Sequence, residues 1–169
     1  YISKFSKLLR MLLENEEQIT SLENEIEMLQ LYIDLTQIRY PNKFDFDMKI
    51  SNELQTSEIA IPNLLLQPIV ENAIIHGIAP KEIKGKLNVE FIIENNFLVC
   101  IVEDNGIGRK AAEEKNKNKE YQSKASQIIK ERLALFDTKS SINYFDLIDN
   151  HGNAIGTRVL VKLPLKNIW

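Results

Sequence analysis

Ile61-Pro62-Asn63-Leu64-Leu65-Leu66-Gln67-Pro68-Ile69-Val70-Glu71-Asn72-Ala73-Ile74-Ile75-His76-Gly77 decides the fold of this 169-residue chain. Proline fits the first turn of a helix, where its missing N–H costs nothing, so Pro62 is expected to open a helix that runs to His76. Gly77 suits its C-terminal cap. Pro68, inside the run, is expected to kink or split it. Asn72 and His76 stand four apart and so share one helical face. The Asn72 carbonyl oxygen can serve a hard cation such as magnesium, which takes few protein ligands and completes its shell with phosphates. Alone, each of the pair is more often structural than functional.

Toward the C-terminus, residues 87–94 and 97–103 read as two strands joined by Asn95-Asn96, a tight-hairpin signal. The second strand runs into Asp104-Asn105-Gly106-Ile107-Gly108. Its glycines let a backbone approach a ligand closely, and Asp104 at the strand end is an acceptor for an exocyclic amine. Residues 109–124 are mostly Lys, Glu, Asn and Gln, bury little, and are expected to be mobile. Helical spacing returns over 126–136 through Ile128, Ile129, Leu133 and Phe136. Residues 141–145 and 157–163 read as closing strands around the turn Asp149-Asn150-His151-Gly152-Asn153, and Gly156-Thr157-Arg158-Val159 opens the last of them.

Toward the N-terminus, Phe44, Phe46, Met48 and Ile50 alternate with Asp45, Asp47 and Lys49, the pattern of a half-buried strand. Residues 59–61 read as a short second strand. Residues 1–40 read as helical, with Phe5, Leu8, Leu9, Leu12 and Leu13 in one run and Leu22, Ile26, Leu29 and Ile33 in another. Thr20 and Glu23 fit a capping box for the second run, and Pro41 bars its continuation. The order predicts an α+β fold, a layer of strands packed on helices, carrying an N-terminal helical arm at 1–40 and a second unit at 41–169.

Composition excludes several classes. A net charge of −3 offers no general nucleic-acid surface. One cysteine, Cys100, and two histidines cannot build a Cys/His metal site. The longest apolar stretches, such as 59–70, are too short and broken to span a bilayer. The chain opens at Tyr1 without a methionine and is expected to be a piece of a longer protein.

Taken together, the asparagine stretch, the Asp-Asn-Gly-Ile-Gly hairpin end and the closing Gly-Thr strand resemble the Bergerat ATP-binding fold of gyrase, MutL-type repair proteins and histidine kinases. The 61–77 stretch is most similar to the asparagine box of LytS/YehU-type sensor histidine kinases. The arm segments Leu8-Leu9-Arg10, Leu22-Glu23-Asn24-Glu25-Ile26, Tyr32-Ile33 and Arg39-Tyr40 resemble that family's linker between phosphoacceptor and ATP domain. The resemblance implies a Bergerat-type two-layer sandwich that binds ATP and Mg2+. Asn72 would hold the metal and Asp104 the adenine amino group. Gly106 and Gly108 would let the backbone pass the nucleotide, and Thr157 would support the adenine end. Glu71 and His76 would lie near the phosphates, Lys124 would be a further ATP-binding residue, and 109–124 would form the ATP lid. It also implies a homodimer through the arm, a response regulator as phosphate acceptor in a phosphorelay, and a cytoplasmic position beneath a cell-membrane sensor attached through upstream segments.

Departures from the family pattern matter. The Pro-His-Phe phosphoacceptor run is absent, and neither His76 nor His151 has that context, so these 169 residues are not expected to label themselves. Ala125 stands where a glycine is expected, a strained choice if that backbone needs positive φ. Ile75 replaces a frequent lysine. These two changes leave open a second reading, a degenerate, weakly nucleotide-binding dimerisation module. The hydrolysing relatives of the fold place a glutamate base four residues before the asparagine. Here that position is Pro68, which favours phosphoryl donation over hydrolysis.

Overall fold

The computed structural model describes residues 3–4, 6–8, 18–115 and 119–168; the side chains of 115 and 119–125 lie outside the described set. Strand β1 (Ile19–Ser21) leads directly into helix α1 (Leu22–Arg39). Strands β2 (Phe44–Ile50) and β3 (Ala60–Pro62) precede helix α2 (Gln67–Asn72), which continues as a wider π-helical segment, Ala73–Ile78. Then come β4 (Gly85–Glu94), β5 (Phe97–Asp104), α3 (Arg109–Lys115), α4 (Lys119–Phe136), β6 (Ser141–Ile148) and β7 (Ala154–Pro164).

Five strands form one sheet in the order β2-β4-β5-β7-β6, parallel between β2 and β4 and antiparallel elsewhere. The α+β expectation holds. Period-2 alternation puts one face of this sheet under the helices. The rows Val89–Val102–Val159 and Phe91–Cys100–Val161 run across three strands on that face and are buried. The β4–β5 hairpin closes at Asn95 and Asn96, whose φ values of 51° and 67° give the doubly left-handed turn that a right-twisted hairpin prefers.

Several local expectations are corrected. Pro62 ends β3 instead of opening a helix, because its strand pairs with β1, Ile19 opposite Pro62. A turn follows, with Leu64 at φ 54°, and the helix starts at Gln67. Pro68 therefore sits in the first turn, where it fits without a kink. The cap of α1 is Ser21, which accepts from the Asn24 amide at 3.2 Å. Thr20 is committed to pairing with Ile61, so no Thr20–Glu23 box forms. Gly77 lies inside the π-helical segment, and the cap falls at Ala79, whose N–H donates to Ile74 O at 2.7 Å. Residues 109–115 and 119–124 are helical. Lys, Glu, Gln and Ala are good helix formers even where nothing is buried. Ala125 lies within α4, where alanine suits the backbone, rather than at a left-handed position.

The arm is joined to this body. Leu22, Leu29 and Ile33 of α1 share one buried cluster with Ile61, Leu65, Leu66 and Val70. Much of the first helical run, including Phe5, Leu9, Leu12 and Leu13, lies outside the described residues. Where described, Lys4 pairs with Asp34 at 2.6 Å and Lys7 with Glu27, so that run lies antiparallel along α1.

Candidate functional site

The end of β5 and the π-helical segment pack unusually close. Ile107 N–H donates to Gly77 O at 2.9 Å. A Cβ on Gly106 would lie 2.4 Å from the Gly77 carbonyl carbon, and one on Gly77 would lie 2.9 Å from Asp104 Oδ1. Both positions therefore need glycine on grounds of space. Gly156 needs it twice over, with φ at 147° and a Cβ that would sit 1.9 Å from Asp104 O. Gly106→Ala should cost about 2 kcal/mol of stability, because backbone has to move on both sides of the contact. Chemical denaturation of the purified variant measures this, and an unchanged midpoint would refute the close-packing account.

Asp104 is the chemical centre of this packing. It is 5% exposed, and its Oδ1 accepts the Gly106 N–H at 2.7 Å. Burial pushes its carboxyl up to about 6, against the backbone hydrogen bonds from Gly106 and Thr157 that favour the charged form. Thr157 stands opposite it in the β5–β7 ladder and is also buried. His76 is held below its ordinary value by partial burial, with Glu71 opposing that shift.

These groups border a cavity of about 420 Å³ between the sheet and helices. Of the residues singled out in the sequence, Asn72, His76, Asp104, Gly108 and Thr157 line it. Gly106 is buried behind its wall, and Glu71 is half-exposed on the helix beside Asn72 without lining it. Lys124 is helical in α4, and its side chain lies outside the described residues.

The cavity has a second wall that the sequence reading missed. Val102, Val159 and Tyr144 form one row across β5, β7 and β6 and face into it, opposite Ile69 and Ala73. Arg109, Ala112 and Glu113 of α3 and Ser126 of α4 complete the lining. No local signal marks Tyr144, since only the register of β6 against β7 brings it to the site. Among the described residues no group of three or more His, Cys, Asp or Glu side chains converges to hold a metal. A single carboxamide at Asn72 fits a magnesium ion only if ligand oxygens complete the shell, which is how that ion commonly binds beside phosphates.

Known proteins resemble this chain in sequence and in fold. Residues 1–44 match the family model for histidine kinases. The sensor protein LytS of Oceanobacillus iheyensis is 34% identical over 92 residues, 54% of this chain and 15% of that protein. The chain therefore spans about one seventh of the length of that curated relative. In three dimensions, the histidine kinase domain of the blue-light activated histidine kinase from Erythrobacter litoralis aligns with a TM-score of 0.61 at 14% identity, covering 96% of this chain and 78% of that one. The histidine kinase ThkA, solved in complex with the response regulator protein TrrA, aligns with a TM-score of 0.57 at 15% identity, covering 98% of this chain and 48% of that one.

Proposed function

We propose that this chain, homologous to the catalytic region of sensor histidine kinases and folded like it, binds ATP with magnesium in the cavity between Asn72 and Asp104. There it would present the γ-phosphoryl to a histidine on a segment that these 169 residues do not contain. The observation that carries the reading is the convergence of Asn72, from a helix, and Asp104, from a strand end, on one cavity whose remaining walls are largely apolar.

The arrangement suits phosphoryl transfer, which asks mainly for positioning and charge stabilisation. Asp104 accepts from the adenine amino group at the base of the cavity. Thr157 sits beside it, and Val102, Val159 and Ile69 pack against the ring. The Asn72 carbonyl oxygen is one ligand of the magnesium ion, which supplies positive charge to the phosphates. His76 lines the cavity beside Asn72 and is assigned to the phosphate end; Glu71, outside the lining, is assigned there on family resemblance alone. Lys124 is assigned to ATP binding on family resemblance. Gly106 and Gly108 keep the backbone close enough to the nucleotide for main-chain contact. Pro68 offers no general base, so donation rather than hydrolysis is the expected chemistry.

Residues 1–40 serve in this reading as the second helix of a dimerisation hairpin and its linker, and 41–169 as the catalytic unit. The family model's match to 1–44, which includes these residues, supports that reading of the arm. A response regulator is the phosphate acceptor, a role supported by the fold shared with the kinase of the ThkA–TrrA complex. No helix among the described residues is long and apolar enough to cross a membrane. Attachment to a cell membrane on its cytoplasmic side would come through other parts of the protein, as for a sensor kinase. The alternative of a degenerate, weakly binding module loses the support of Ala125, whose backbone is helical.

Calorimetric titration of the chain with ATP, with and without magnesium, tests the proposal. Saturable binding that tightens with the metal is expected. Heats indistinguishable from dilution in both titrations would overturn it.

A further inference from the structure

Arg109 makes an arrangement that neither stability nor the phosphate chemistry accounts for. Its Nε and Nη2 donate to the two oxygens of Asp146 at 2.7 and 2.8 Å, a bidentate pair. Its guanidinium carbon also lies 5.6 Å from the centroid of the Tyr144 ring. The two side chains of the ion pair are 43% and 39% exposed, and pairs in such settings contribute little to stability. What a bidentate, ring-stacked guanidinium gains is a fixed plane and direction. Nη1, the remaining nitrogen, makes no hydrogen bond among the described residues, and the residue lines the cavity.

The sheet register says which half of a ligand this nitrogen meets. Asp104, Thr157 and Asp146 lie opposite one another in sequence across β5, β7 and β6. Asp146 and its guanidinium therefore stand on the sheet side, in the row of the buried acceptor Asp104. Asn72 and His76 approach from the helices. The next row is Val102, Val159 and Tyr144, the apolar floor on which a flat ring would lie. Tyr144 is braced in turn, within hydrogen-bond reach of the Ser126 side chain.

We propose that Arg109, oriented by Asp146 and Tyr144, is a nucleoside-positioning residue whose Nη1 donates to a neutral acceptor on the base or ribose of the bound nucleotide. This rests on the cavity being a nucleotide site. It adds a donor that complements the acceptor Asp104, so that the nucleoside half is gripped from two sides independently of magnesium and of phosphate number.

The test compares wild type, Arg109→Ala, Arg109→Lys and Asp146→Asn by titration with ATP, ADP and adenosine in the presence of magnesium, with thermal unfolding of each protein alongside. Arg109→Ala should weaken all three ligands by the same factor, roughly tenfold, as expected for one charge-assisted hydrogen bond. Arg109→Lys should not restore affinity, because a lysine cannot hold the bidentate geometry. Asp146→Asn, which leaves the guanidinium in place without its bidentate partner, should fall between wild type and Arg109→Ala. Unfolding temperatures should stay together, which separates positioning from a structural role. Equal affinity of wild type and Arg109→Ala for every ligand would overturn the inference and leave the nucleotide site standing. A loss confined to ATP would also overturn it, by moving Arg109 to the phosphates. Failure of the wild type to bind any of the three would remove the nucleotide reading and this inference with it.

Discussion

Asp104→Ala should abolish ATP binding to within the reach of calorimetry, a loss of roughly a hundredfold or more in affinity. Two effects combine. The adenine amino group loses its acceptor, and the Gly106 N–H, 2.7 Å from Oδ1, loses its partner inside a buried loop. The same carboxyl predicts a pH profile. Burial raises it to about 6 in the empty cavity, and only the ionised form accepts from an amine with both oxygens. Affinity should therefore be flat near neutral pH and fall as pH drops through about 6, approaching tenfold per unit. The linkage to the stability of the empty protein has the opposite direction. A carboxyl whose folded value is raised above 3.8 favours the fold most below that value, and this contribution is lost as pH rises through about 6. Asp104→Asn keeps an acceptor and cannot titrate, so it should lose the part of the pH dependence that the Asp104 carboxyl supplies and keep only what His76 and the terminal phosphate contribute. Wild-type affinity for Asp104→Ala, or an identical pH profile for wild type and Asp104→Asn, would remove Asp104 from the site.

The parts of the site legible in the sequence were those where backbone geometry restricts residue choice. Gly106 and Gly108 announce themselves because only glycine allows the approach seen at Gly77 and Ala154. Asn95-Asn96 is a hairpin signal because two left-handed residues are needed in succession. Asp104 was readable by its position at the strand end before these glycines, whereas Thr157 was singled out only through the family resemblance. What stayed hidden depends on long-range pairing. Strand β1 has three residues and no periodicity to detect. Tyr144 and Asp146 enter the site only through the β6–β7 register, and Arg109 only through them. Pro62 and Pro68 are both chemically able to open a helix, and pairing of β1 with β3 decides between them. The polar segment after Gly108 forms helix because its residues lose little freedom there, a preference that a search for apolar spacing does not register.

Glu25 was invisible for a related reason, since a glutamate within Leu22-Glu23-Asn24-Glu25-Ile26 reads as the solvated side of a helix. It is 2% exposed. Its Oε2 accepts the Leu64 amide at 3.0 Å and its Oε1 the Leu66 amide at 2.8 Å. From the opposite side, Arg132 Nη1 of α4 donates to Asn63 O at 3.0 Å and Leu64 O at 2.8 Å. The turn that launches the asparagine helix is thus held by its amides from α1 and by its carbonyls from α4. Glu25→Ala should destabilise the chain by roughly 3 kcal/mol, because it orphans buried amides and leaves a gap beside Leu66. For a domain of this size that lowers the unfolding temperature by about 10 °C. Glu25→Gln keeps one acceptor and should cost less. The carboxyl also makes stability depend on pH. Burial raises it from 4.5 to about 7 against the backbone bonds and the nearby Arg132 charge. With the folded value above the unfolded one, its contribution is full below about 4.5 and is lost as pH rises through about 7. The wild type should therefore lose ground to Glu25→Gln over that interval, by at most roughly 3 kcal/mol. Asp34, Asp137 and Asp146, whose values are lowered by hydrogen bonds and nearby cations, and Asp149, lowered by hydrogen bonds alone, act in the opposite direction. They are common to both proteins and cancel in the difference. Denaturation of the pair at several pH values measures it, and a difference that does not change with pH would mean that Glu25 does not titrate in this range.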